Sequence, residues 1–234
     1  LTELVQTLKK TKIKLLLISF PHNPTTLTVD QVFYDNLVEL AEKYNFLIVN
    51  DFAYSDIYFG GNKPPSLLSS DKSLSHSIEL YSLTKGFSMA GWRVGFAVGN
   101  KDAISSVTKL KSYIDYGTFQ PIQIASTVAL NELEEYPFEL SSVYKERREL
   151  IVENLEDLNF SVQESTATMF VWAKLPEKFR NDSLKFSLEL LEKSNVAISP
   201  GVGFGKYGEG YIRIALVENK QRIRQAMKNI KAAL

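Results

Sequence analysis

The sequence predicts an α/β protein in which a mainly parallel sheet precedes a smaller α/β domain. Within residues 13–98, apolar runs of strand length end in turn residues and alternate with a helical repeat, which is the pattern of βαβ units. Residues 101–158 then become largely helical, and short strands return after Asn159. Of the 234 residues, 44% are hydrophobic, as expected for an ordinary globular core.

Residues 13–98 contain four predicted strands and one well-defined helix. Residues 13–19 form a continuous apolar run, which predicts a buried parallel strand. Apolar residues recur at helical spacing over residues 29–44, which predicts a helix. Three further strands are expected at residues 46–49, 77–83 and 93–98.

The remainder of the chain contains a long helical region and a small α/β domain. The helices of residues 101–158 have possible breaks at Gly117, Pro121 and Pro137, and dense charge over 138–158 predicts an exposed linking helix. The later elements are expected to be strands at 160–163, 168–174, 196–199 and 211–216, and helices at about 182–193 and 218–232. We place the domain boundary near residue 145, which gives domains 1–145 and 146–234.

The composition excludes several kinds of function. The chain has 27 basic residues (lysine plus arginine) and 27 acidic residues (aspartate plus glutamate). The charges therefore balance, and no overall electrostatic field attracts nucleic acid or an anionic membrane. The absence of cysteine excludes disulfides and thiolate chemistry, and it fits a cytoplasmic location. No apolar run approaches the roughly 18 residues of a membrane span. The two histidines, His22 and His76, lie far apart in the sequence, so no metal site is expected.

Lys85 is the first candidate for chemistry. It directly follows a predicted buried strand and lies among small and hydroxyl-bearing residues. Desolvation and nearby cations lower the pKa of a lysine, which prepares its amine to attack a carbonyl. Without the flanking motif, an ordinary surface lysine would be the better interpretation.

Four motifs, in the same order along the chain, resemble those of the class I/II aminotransferases, which are pyridoxal-phosphate (PLP) enzymes of fold type I. Lys85 ends a Ser-x-Thr-Lys motif, and Arg93 follows it by eight residues in a Gly-Trp-Arg-x-Gly setting. The other motifs are His22-Asn23-Pro24-Thr25, Asn50-Asp51-Phe52-Ala53-Tyr54 and Gly210-Tyr211-Ile212-Arg213-Ile214-Ala215. The resemblance covers the whole chain and implies part of the large domain followed by the small C-terminal domain, entered partway along the family pattern.

The resemblance implies four residues around the cofactor ring. Lys85 would bind PLP covalently and then move a proton as general base and acid. Asp51 would pair with the pyridine nitrogen, and Tyr54 and Asn23 would hydrogen-bond the phenolic oxygen. The alternatives are a turn cap for Asp51, a core tyrosine and an Asx turn.

The resemblance also implies two anion sites. Ser82, Thr84 and Arg93 would bind the cofactor phosphate, and Arg213, together with Asn23, would bind the substrate α-carboxylate. Either arginine could instead be a surface charge. For Arg93, the neighbouring Trp92 and Gly95 favour a packed position.

A glycine-rich segment, residues 203–208, matches G-x-G-x-x-G. A dinucleotide site requires a helix after this motif, whereas a strand is expected here. We therefore reject a nucleotide site. The segment resembles the family's Pro-Gly-x-x-Phe-Gly loop, which lies near the substrate.

Two residues depart from the family pattern. Thr26 replaces the usual glycine of Asn-Pro-Thr-Gly, and a β-branched residue there is strained if φ is positive. Gly86 follows the lysine where relatives often have a larger residue.

The resemblance implies an aminotransferase that moves an amino group between an amino acid and a 2-oxo acid, of the aspartate, alanine or LL-diaminopimelate type. It also implies a homodimer. A carbon–sulfur lyase of the same fold and an aminotransferase-like sensor domain of a transcription regulator stay open. The 234 residues by themselves are expected to bind PLP poorly.

Overall fold

The structure, a computed structural model, describes all 234 residues and divides them into two units. The first unit comprises Leu1–Pro21 and Thr28–Phe138, and the second comprises His22–Leu27 and Glu139–Leu234. The change at Phe138 lies in the long helix that was expected to contain the boundary. The segment His22–Leu27, which the sequence analysis placed in the first domain, groups with the second unit instead.

The predicted helices and strands appear in the predicted order, mostly with shifts of a few residues at their ends. The helices Thr2–Leu8 and Leu83–Gly86 were not predicted, and the strand expected at 196–199 is reduced to Ser199–Pro200. The first unit contains α1 (Thr2–Leu8), β1 (Leu15–Ser19), α2 (Gln31–Tyr44), β2 (Leu47–Asp51), β3 (Ser77–Ser82), α3 (Leu83–Gly86), β4 (Gly95–Gly99), α4 (Lys101–Ile114) and α5 (Gln120–Glu132). Next come α6 (Tyr136–Asp157), β5 (Ser161–Val162), β6 (Phe170–Lys174), α7 (Ser183–Ser194), β7 (Ser199–Pro200), β8 (Tyr211–Ala215) and α8 (Lys220–Ala233).

The sheet of the first unit has the order β1-β2-β3-β4. Its first three strands are parallel, which confirms the mainly parallel sheet, and β4 runs antiparallel to β3. This reversal was not predicted from the sequence. The β3–β4 connection contains only the four-residue α3 and a short 3₁₀ turn, whereas a parallel return usually requires a longer crossover helix.

Helix α2 forms the core of the first unit with one face of this sheet. Asp30 caps the helix by accepting the backbone N–H of Phe33 at 2.8 Å, and Asn45 ends it in the left-handed conformation. Leu37 of the helix is buried in one cluster with Ile48 of β2. Burial of each such side chain contributes about 1.5–3 kcal/mol.

The other face of the sheet is open along β1. Leu15 is 52% exposed and Leu17 is 66% exposed, so the prediction of a fully buried strand at residues 13–19 is wrong for this face. The register aligns Leu17 with Val49 and Ser19 with Asp51. Because paired residues share a face, Asp51 lies on the open face at the carboxyl end of β2.

The second unit contains an antiparallel sheet of order β5-β6-β8-β7. Strand β8 therefore lies between β6 and β7, and Arg213 pairs with Trp172 on one side and Ser199 on the other. These three side chains share one face, whereas Ile212 points to the other face and is buried. None of the helices in either unit combines the length and apolar character that crossing a membrane requires.

Candidate active site

Lys85 lies on a short, capped turn at the end of β3. The Ser82 hydroxyl accepts the backbone N–H of Thr84 at 3.2 Å, which fixes the start of α3. The Lys85 amine lies 5.6 Å from the centroid of the Tyr54 ring, and Tyr54 is buried. The fold thus brings together two of the residues that the sequence analysis selected.

Asp51 ends β2 and shapes the turn that leads to Tyr54. Its Oδ1 accepts the backbone N–H of Ala53 at 3.1 Å, so one carboxylate oxygen performs the turn-capping role considered above. The Ser19 hydroxyl donates to the Asp51 carbonyl at 3.3 Å. These contacts hold the carboxylate at the carboxyl end of a parallel strand, where α/β sheets bind ligands.

A buried polar network, which the sequence analysis missed, lies behind Asp51 on the opposite face of the sheet. The Asn50 amide donates to the Glu79 carboxylate and to the Tyr34 hydroxyl, both at 3.1 Å. Glu79 also accepts the Ser66 hydroxyl at 2.6 Å. Burial raises the pKa of Tyr34, and the Glu79 charge raises it further. The network joins β2 to β3 beside Asp51, and a polar residue inside each apolar strand was the signal for it.

Gly86 has a neighbour that explains its lack of a side chain. A Cβ on Gly86 would lie 2.7 Å from Oδ2 of Asp56, so the carboxylate occupies the space that a side chain would fill. The Tyr81 hydroxyl donates a short hydrogen bond to Asp56, and Lys63 lies 3.4 Å from the same carboxylate. Burial raises the pKa of Tyr81, and the Asp56 carboxylate adds to the rise.

The three residues selected for phosphate binding are only partly gathered. Ser82 and Thr84 are in contact, and the Ser82 hydroxyl lies 3.5 Å from the Val94 carbonyl, next to Arg93. Arg93 itself is exposed and has a φ of 52°. The packed position expected for it is wrong, since the neighbouring Trp92 is 48% exposed. One guanidinium nitrogen bonds the Ala90 carbonyl at 3.1 Å.

The Arg213 guanidinium contacts two polar side chains and two aromatic rings. Its Nη1 donates to the Asn23 amide oxygen at 2.8 Å, and its Nη2 donates to the Ser199 hydroxyl at 3.3 Å. The guanidinium carbon lies 4.3 Å from the ring centroid of Phe170 and 4.5 Å from that of Phe204. The arginine is therefore held at its edge by polar groups and covered by two rings. The sequence analysis missed Phe170 and Ser199, which only strand pairing brings to Arg213.

The segment around Asn23 is held by hydrogen bonds between its own residues. The His22 ring nitrogen Nδ1 lies 2.6 Å from the Thr25 hydroxyl, and burial lowers the pKa of His22. The backbone N–H of Thr26 bonds the His22 carbonyl at 2.8 Å. Thr26 has a φ of 63°, so the positive φ considered in the sequence analysis is present. Its side chain is buried, and its hydroxyl has no hydrogen-bond partner.

The structure contains no group of three or more histidine, cysteine or carboxylate side chains that could hold a metal ion. In the first unit, the predicted site residues are an amine, a carboxylate, a phenol, two hydroxyls and a guanidinium group. In the second unit, the guanidinium of Arg213 is a group that suits a carboxylate.

Comparison with known proteins gives consistent results. The family model "Aminotransferase class I and II" matches residues 1–230. The chain is 42% identical to the glutamate-pyruvate aminotransferase AlaC of Escherichia coli and 45% identical to an LL-diaminopimelate aminotransferase of Natranaerobius thermophilus, with 94% of the chain covered in each case. A substrate-bound BacF structure from Bacillus subtilis matches 97% of the chain with a TM-score of 0.91 and 34% identity. The chain spans 54%, 56% and 57% of these three proteins, respectively.

Proposed function

The chain belongs to the class I and II aminotransferases of fold type I, and we propose that the protein moves an amino group between an amino acid and a 2-oxo acid. The family depends on PLP. The observation that supports the proposal most directly is Lys85, whose amine faces the Tyr54 ring from a turn capped by Ser82.

The side chains fit PLP by their chemistry. A dianionic phosphate is matched by the hydroxyls of Ser82 and Thr84 and by the guanidinium of Arg93. A pyridine nitrogen is matched by the Asp51 carboxylate, which lies on the open face of the sheet. We propose that these residues and Lys85 hold the cofactor.

When bound, PLP supplies an electron sink that stabilises negative charge at the substrate Cα. The Lys85 amine then takes the proton from that carbon and later returns one, as general base and acid. The face of the Tyr54 ring stabilises a nearby ammonium group, so Lys85 can hold the proton between the two transfers. The Asp51 carboxylate would hold the proton on the cofactor's ring nitrogen, which would strengthen that electron sink.

Arg213 is the proposed site for the substrate α-carboxylate. A planar guanidinium fork binds a carboxylate through two parallel hydrogen bonds. Asn23 contributes to the same site, because its amide oxygen accepts a hydrogen bond from Arg213. Following the family resemblance, we also propose Asn23 and Tyr54 as hydrogen-bond donors to the cofactor's phenolic oxygen.

The proposal extends to substrate type and assembly. Two relatives are named for glutamate and pyruvate or for LL-diaminopimelate, which supports alanine-type or diaminopimelate-type exchange over the aspartate type. We also propose a cytoplasmic homodimer that acts on small molecules and binds neither nucleic acid nor membrane, in keeping with the balanced charge and the absence of cysteine.

The test is covalent trapping in the full-length protein. Borohydride reduction with PLP, followed by peptide mapping, should place the adduct on Lys85. The Lys85→Ala variant should lose both the adduct and amino exchange, and Lys72→Ala, at an exposed position, should keep both. An adduct elsewhere would contradict the cofactor assignment. Release of pyruvate, ammonia and homocysteine from cystathionine, without amino exchange, would indicate a carbon–sulfur lyase instead.

A further inference from the structure

The glycine loop, which we define as residues 201–208, is closed by direct contact between its two ends. A Cβ on Gly201 would lie 2.0 Å from the Gly208 carbonyl oxygen, and a Cβ on Gly208 would lie 2.0 Å from the Gly201 carbonyl oxygen. Only glycine permits this approach. Gly203, by contrast, has nothing within 4 Å of its added Cβ. The loop is therefore fixed at its ends, and its glycines do not all serve the same purpose.

The glycine loop places Phe204 against Arg213. The Phe204 ring centroid lies 4.5 Å from the guanidinium carbon, and the ring meets Trp172 edge-on at 6.0 Å. Trp172 is buried and pairs with Arg213 across the sheet. Phe170, whose ring centroid lies 4.3 Å from the same carbon, is also buried, whereas Phe204 is 40% exposed. Phe204 is thus the outer of the two rings that cover Arg213.

We propose that Phe204 is a positioning residue for carboxylate binding, and that the glycine loop exists to hold its ring on Arg213. This deepens the proposed function and rests on the assignment of Arg213 as the carboxylate site. Both ring centroids lie within 4.5 Å of the guanidinium carbon, and Asn23 and Ser199 each accept one of its hydrogen bonds. These contacts restrict the orientation of the guanidinium, so that its remaining N–H groups can form two parallel hydrogen bonds with a carboxylate.

Loss of the outer ring would affect carboxylates specifically. Water would reach one face of the guanidinium, which weakens its electrostatic attraction for an anion. The side chain would also lose a cation–π contact that restricts its orientation. The loss of a cation–π contact at a partly exposed site corresponds to about a threefold to tenfold change in affinity. Because Phe204 is partly exposed, its replacement should leave the fold intact.

The experiment compares pyruvate with its neutral isostere pyruvamide, by calorimetric titration of the full-length protein loaded with PLP. Phe204→Ala should weaken pyruvate binding about threefold to tenfold and leave pyruvamide binding unchanged, and Phe204→Tyr should restore pyruvate binding. The matched control is Tyr207→Ala, which removes an aromatic ring 88% exposed in the same loop. Gly201→Ala should reproduce the Phe204→Ala effect, and Gly203→Ala should have none.

A double-mutant cycle separates this proposal from the proposed function. In an Arg213→Met background, Phe204→Ala should have no further effect on pyruvate. The proposal is overturned if Phe204→Ala leaves pyruvate binding unchanged or weakens the binding of pyruvate and pyruvamide equally. It is also overturned if Phe204→Ala has its full effect on pyruvate binding in the Arg213→Met background. Amino exchange is measured separately in the unmodified protein. Its absence, with the pyruvate dependence on Phe204 intact, would refute the transaminase function and leave the carboxylate site standing.

Discussion

Replacement of Thr26 should stabilise the protein, because this residue combines two unfavourable features. A left-handed backbone conformation costs an L-residue about 1–2 kcal/mol, and Thr26 has a φ of 63°. Its buried hydroxyl lacks a hydrogen-bond partner, which costs about 1–3 kcal/mol more. Thr26→Gly relieves both costs. The substitution also removes two buried carbons, which lowers the stability by about 0.8 kcal/mol each. The greater backbone entropy of glycine in the unfolded chain lowers it by about 0.5–1 kcal/mol more. The net expectation is about 1 kcal/mol of added stability.

Calorimetric melting measures this change as a rise of about 2–4 °C for a chain of this size. Thr26→Val keeps the side-chain shape and the backbone strain but removes the hydroxyl, so it isolates the desolvation cost and should raise the melting temperature as well. The matched control is Thr25→Val, because the Thr25 hydroxyl is bonded to His22 and its loss should lower the melting temperature. If both Thr26 variants melt below the unmodified protein, the reasoning about strain and desolvation is wrong.

Two further predictions concern neighbours of the proposed site residues. Gly86→Ala should push the Asp56 carboxylate away from Tyr81, since the new Cβ would lie 2.7 Å from Oδ2. The expected loss of about 1.5–3 kcal/mol and a fall in the Tyr81 pKa can be followed by melting and ultraviolet titration, with Gly91→Ala, which has open space, as control. Burial lowers the pKa of His22 from 6.5, so the unfolded chain binds the extra proton first and stability should decline as pH falls below 6.5. His22→Gln should reduce that decline in melting curves measured from pH 8 to pH 5, and an unchanged decline would exclude His22 as its source.

Local patterns predicted most elements of the fold, because they depend on short-range physical chemistry. The helix that begins after Asp30 and ends at Asn45 follows from capping and helical periodicity alone. The reversed direction of β4 did not follow, since nothing in its own residues determines which way a strand runs. The exposure of Arg93 was also missed, because a neighbouring tryptophan indicates packing only where other parts of a protein cover it.

The candidate site shows the same division between local and long-range information. Lys85, Asp51 and Arg213 could be selected from motifs, and their proposed roles stay predictions. The contacts that hold them come from distant residues: Asn23 lies 190 positions from Arg213, and Glu79 lies 29 positions from Asn50. No periodicity or spacing rule relates such pairs. The family resemblance placed Asn23 and Arg213 at one site, and the polar residues within apolar strands signalled that Asn50 and Glu79 must have partners.

The departures from ordinary sequence rules lie beside the proposed catalytic groups. Gly86 adjoins Lys85, and the Asp56 carboxylate packs directly on its backbone. Thr26, in a left-handed conformation, follows Asn23 by three residues within the segment that reaches Arg213. Gly201 and Gly208 close the loop that places Phe204 on the same arginine. Each feature reduces local freedom where a side chain must keep one orientation, and strain of this kind persists only where surrounding contacts enforce it. Relief of strain at Thr26 should therefore raise stability and weaken carboxylate binding at Arg213, because Asn23 would lose its fixed position.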